Sequence, residues 1–73
     1  MITNSNTAKK LSEVMLDIAD ELHKSIVIAK QRCSPEEYKA YSLAVGRVLW
    51  NLSTQVLDPL FAKHPILKPP SYD

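Results

Sequence analysis

Seventy-three residues make at most one small domain, and a chain this short buries only about 60% of the surface its unfolded form exposes. A single cysteine, Cys33, excludes an internal disulfide, and two well-separated histidines argue against a dedicated structural zinc site. Nine Lys/Arg against eight Asp/Glu, interleaved along the chain, give a net charge of +1, which supplies no electrostatic case for nucleic acid or an anionic membrane. Association with a partner is the remaining route by which so small a fold gains stability.

The opening residues lack the apolar stretch of a secretory signal, and the longest uninterrupted apolar run, residues 26–29, is far short of the roughly 20 residues that cross a bilayer. The expected compartment is the cytoplasm, which the lone thiol also suits.

From residue 7 to residue 32 nothing interrupts a helix, and Asn6 or Thr7 is placed to cap it. Leu11, Met15, Ile18, Leu22, Ile26, Ala29 and Cys33 recur at steps of three and four, so they share an arc of about 80° on a helical projection. Glu13, Asp17, Asp20 and Lys24 fall on the opposite side, with Asp20 and Lys24 at a favourable i,i+4 spacing.

The segment Cys33-Ser34-Pro35-Glu36-Glu37-Tyr38 carries the strongest local signal. Ser34 suits an N-cap, Pro35 the first helical position, and Glu37 the reciprocal position of a capping box. Glu36 and Glu37 meet the positive end of the helix dipole, and Cys33 and Tyr38 flank the cap as a hydrophobic staple would. So short a connection makes antiparallel neighbours.

A second helix is expected over residues 35–57. One stripe, Tyr38, Tyr41, Val45, Val48, Leu49, Leu52 and Val56, covers about 100° and faces the first helix. A second stripe, Leu43, Trp50 and Leu57, lies about 120° away with Gly46 beside it. In a lone hairpin that stripe would face water, and exposed apolar patches mark contact surfaces. Leu43, Gly46, Trp50 and Leu57 are therefore the expected interface.

Pro59 biases Asp58 away from helical geometry. The expected outcome is a fresh short helix over residues 59–63, capped by Asp58, with a change of direction. His64-Pro65 stops it, and residues 64–73 read as an extended, partly polyproline-like tail. Ile66, Leu67 and Tyr72 are expected to fold back over the hairpin.

No constellation argues for chemistry. Cys33 precedes a helix N-terminus, where thiolates form readily, but it also ends an apolar stripe as a packing residue would. Asp20 and His23 repeat the i,i+3 spacing of bundle metal ligands, yet both project away from the stripe. His64 is placed to meet a carbonyl at a helix end. A single glycine excludes a phosphate-cradling loop, Lys39 and Arg47 share no line along the second helix, and aromatics such as Tyr38, Tyr41 and Trp50 at helical spacing read as packing. The prolines at 65, 69 and 70 lack the P-x-x-P spacing. No catalytic residue, cofactor or metal is expected.

The reading is an all-α antiparallel hairpin with a short third helix, pairing into a four-helix-bundle-like dimer. It is a non-catalytic protein–protein interaction module, homodimeric in the first instance. The rivals are an obligate accessory subunit of a hetero-complex and, behind it, a nucleic-acid-binding regulator or a metal- or ligand-binding bundle.

Overall fold

A computed structural model describes residues 1–72; Asp73, the last residue of the expected tail, lies outside the described residues. Helix α1 spans Ser5–Arg32 and helix α2 spans Pro35–Leu52. A π-helical segment, Ser53–Leu57, leads into helix α3, Asp58–Lys63, and a single 3₁₀ turn covers Pro65–Leu67. There are no strands among the described residues.

Helix α1 begins two residues earlier than expected because Asn4, rather than Asn6 or Thr7, accepts the Thr7 N–H at 3.0 Å. Its 28 residues at about 1.5 Å each account for most of the molecule's 45 Å length. At the turn the expected cap is complete. Ser34 Oγ accepts from Glu37 N–H at 3.2 Å and Glu37 Oε1 accepts from Ser34 N–H at 3.0 Å. The Ser34 backbone N–H, followed by the Ser34 side chain, favours the charged carboxylate, so the Glu37 acid is held below its ordinary value. A depressed folded-state value makes this contribution fully present above the unfolded glutamate range and lost as pH falls through the lowered one. Ser34→Ala is expected to cost about 1 kcal/mol. It should also flatten part of the acid limb of a stability-versus-pH curve, which urea melts between neutral and acid pH would read.

Asp58 does not cap a new helix. Leu52, Leu57 and Asp58 all keep right-handed helical dihedrals, and no side-chain cap bond forms at the start of α3. The chain is helical without a break from Pro35 to Lys63. Pro59 has no N–H and its ring would clash with the carbonyl four residues back, that of Gln55. The π segment relieves this by lengthening the turn, as the Asp58 N–H to Ser53 carbonyl bond shows. The expected helix break is thus replaced by a local widening.

The interhelical seam follows steps of four and three: Ala8, Ser12, Met15, Ala19, Leu22, Ile26 and Ala29 on α1, with Tyr38, Ser42, Val45, Leu49 and Leu52 on α2 and Val56 in the π segment. All of these are buried or half-buried. Small residues at 8, 12, 19 and 29 bring the helices close. The Ser12 hydroxyl, though buried, donates to the Lys9 carbonyl at 2.9 Å. Tyr41 Oη donates to Ser25 Oγ at 2.8 Å across the two helices and fixes their antiparallel register. The surface pair on α1 joins Lys24 to Glu21, not to Asp20, and at such exposure adds at most about 1 kcal/mol.

The thickest packing lies at the end away from the turn, where Leu57, Leu60 and Phe61 are buried with Ala8. The chain after α3 is not extended. A 3₁₀ turn and a further turn closed by Tyr72 N–H to the Pro69 carbonyl bring Tyr72 back. Its ring meets Phe61 edge-on at 5.0 Å and its hydroxyl donates to Asp58 Oδ1 at 2.6 Å. Leu67 is half-buried, but Ile66 is 92% exposed and takes no part in the fold-back. His64 Nε2–H donates to the Ile2 carbonyl at 2.7 Å, so the histidine does meet a backbone carbonyl, but one that ties the N-terminal segment to the end of α3.

Candidate functional site

Along the middle of the hairpin only two helices pack, so most large apolar side chains there are covered on one side. Two surfaces result. The first is the outer side of α2, where Leu43 is 58% and Trp50 69% exposed. Gly46 sits between them with open space where a Cβ would point. A hollow of about 400 Å³ is centred on these three and Arg47. Leu57, expected on the same surface, is not there: at 1% exposed it belongs to the core of its own chain. The π segment explains the shift, since one extra residue in the turn rotates every later position relative to a regular helical projection.

The second surface is a flat face spanning both helices. Leu11, Val14 and Ile18 of α1 and Tyr41 and Val48 of α2 are all exposed. The Tyr41–Ser25 bond sets the antiparallel register, which puts Val48 beside Ile18 and Leu52 beside Val14. Four of these residues, Leu11, Ile18, Tyr41 and Val48, were expected to be buried between the helices. The real contact runs along one edge of each stripe and leaves the other edge open. The signal was the stripe width: arcs of about 80° and 100° exceed what a single neighbouring helix covers, whereas bundle helices need a wide apolar face.

A groove of about 450 Å³ between α1, α2 and the chain end is lined by Leu16, Ala19, Trp50 and Tyr72, with Asp20 and His23 at its α1 side. Both are exposed. The His23 Nδ1–H donates to the Ala19 carbonyl at 2.8 Å, which leaves that nitrogen unavailable as a ligand. No group of three metal-capable side chains occurs among the described residues. Cys33 is exposed at the turn instead of filling the staple position, and it is a free thiol. Tyr38 is half-buried in the seam. No helix is long and apolar enough to cross a membrane among the described residues.

The arrangement thus offers apolar area rather than paired acids and bases. No family model matches the chain, and no curated protein sequence or solved structure does so either.

Proposed function

We propose that this chain is a non-catalytic helical protein–protein interaction module that works as a homodimer. One observation carries the reading. The single chain exposes 5467 Å², whereas a compact monomer of its 8.2 kDa exposes about 4,500 Å². The surplus of about 900 Å² is close to the roughly 800 Å² that each partner buries in a standard interface. Much of the exposed area is large and apolar: Leu11, Val14, Ile18, Tyr41, Leu43, Val48 and Trp50 all lie on helix surfaces. Clusters of large apolar side chains left exposed on a small chain mark contact sites.

Sedimentation equilibrium of the purified chain tests this. The expected mass is about 16 kDa, twice that of the 8.2 kDa chain; a single species of 8.2 kDa at high micromolar concentration would rule the homodimer out.

A further inference from the structure

We infer that the flat face carrying Leu11, Val14, Ile18, Tyr41 and Val48 binds a second copy of this chain, closing two hairpins into a four-helix bundle and leaving Trp50 outside. The inference rests on the homodimer reading and adds which face does the work.

Spacing supplies the first argument. Leu11, Met15, Ile18 and Leu22 on α1, and Tyr41, Val45, Val48 and Leu52 on α2, advance by alternating steps of three and four. That repeat keeps one line of side chains facing a bundle axis. Residue size supplies the second. The hairpin seam is narrowed by Ala8, Ser12 and Ala19, while Leu11, Ile18, Tyr41 and Val48 stay exposed on the open face. A bundle core built from two such hairpins would be filled by those bulky residues.

Charge supplies the third. Positions 11, 14, 15, 18, 22 and 25 of α1, 41, 44, 45, 48 and 52 of α2 and 55 of the π segment contain no Asp, Glu, Lys or Arg. Asp17 and Glu21 border this strip beside Val14, Ile18 and Leu22, so self-pairing across a two-fold axis buries the uncharged centre and leaves these exposed carboxylates at the rim. The outer side of α2 is less suited to self-pairing. A two-fold axis near Gly46 there would bring the two Arg47 guanidinium groups together, because Arg47 borders the Leu43–Trp50 hollow. Area supplies the last: the chain as a whole exposes about 900 Å² more than a compact monomer of its mass, enough for the roughly 800 Å² that each partner buries in a stable dimer.

The test uses the full chain and reads mass, helicity and tryptophan emission together. Val48→Glu and Ile18→Glu replace residues already exposed in the single chain, so each hairpin keeps its own packing. Each variant should dimerise about 100-fold more weakly, with helical circular dichroism retained. Trp50→Glu should remain dimeric. Trp50 is the only tryptophan, so its emission reports the outer face of α2 without any substitution. It should keep a solvent-exposed maximum across the dilution range in which the wild-type mass falls from dimer to monomer.

Dimers that persist in both glutamate variants, or wild-type emission that shifts blue as the dimer forms, would overturn this choice of face and leave the homodimer reading standing. A wild-type chain that stays at 8.2 kDa overturns both. If a glutamate variant loses its helicity, the unmodified chain's emission still decides the question.

Discussion

Leu57→Ala lowers the unfolding free energy by about 3 kcal/mol, and by the same amount at every protein concentration. The side chain is 1% exposed at the end of the hairpin away from the turn, in the packing cluster it shares with Leu60 and Phe61. Truncation loses the transfer energy of the removed carbons and leaves a cavity that the surrounding helices only partly close. A chain of 73 residues has roughly 4 to 11 kcal/mol of stability in all, so the loss is a large share of it. Urea unfolding should show a lower midpoint with an unchanged slope. Were Leu57 an interface residue, the variant would instead shift the monomer–dimer equilibrium and leave the dilute chain almost unaffected.

Phe61→Ala costs more, about 4 kcal/mol, because it removes a buried aromatic and the platform on which the chain end rests. Tyr72 meets the Phe61 ring edge-on at 5.0 Å, with an interplanar angle of 79°. Aromatic pairs in that geometry add about 1 kcal/mol beyond area burial. Without the ring, the half-exposed Tyr72 side chain keeps its hydroxyl bond to Asp58 and the Lys68 ammonium 5.7 Å from its ring centroid. The segment after His64 should then become a preferred site of limited proteolysis. Tyr72→Phe separates the two effects: it keeps the ring contact and removes only the hydroxyl bond, at a cost of about 1 kcal/mol or less. A Phe61→Ala chain with wild-type urea midpoint and no new cleavage would contradict this account of the chain end.

The hairpin itself was legible in the residues. Ser34, Pro35 and Glu37 act through local backbone bonds, and a capping box needs no information from elsewhere in the chain. The start of α1 was less so, because Asn4 competes with Asn6 and Thr7 and all three are good caps. Pro59 was misread for a physical reason. Its missing N–H can be accommodated by ending a helix or by widening a turn, and only packing at 57, 60 and 61 chooses the second.

The exposed apolar residues of the second helix were legible by type and less so by position. Leu43, Gly46 and Trp50 do lie on an exposed face, but Leu57 was carried inside by the π segment. The flat face formed by Ile18, Val48 and their neighbours was hidden inside stripes read as wholly intramolecular. A helical wheel shows which residues share a side. It does not show how much of that side one neighbouring helix covers.

The measurement that bears most directly on the homodimer is the urea midpoint of the wild-type chain followed over a roughly hundred-fold range of protein concentration. If folding and pairing are linked, mass action raises the midpoint as concentration rises. A midpoint that stays constant over the whole range would show that the hairpin owes none of its stability to a second copy.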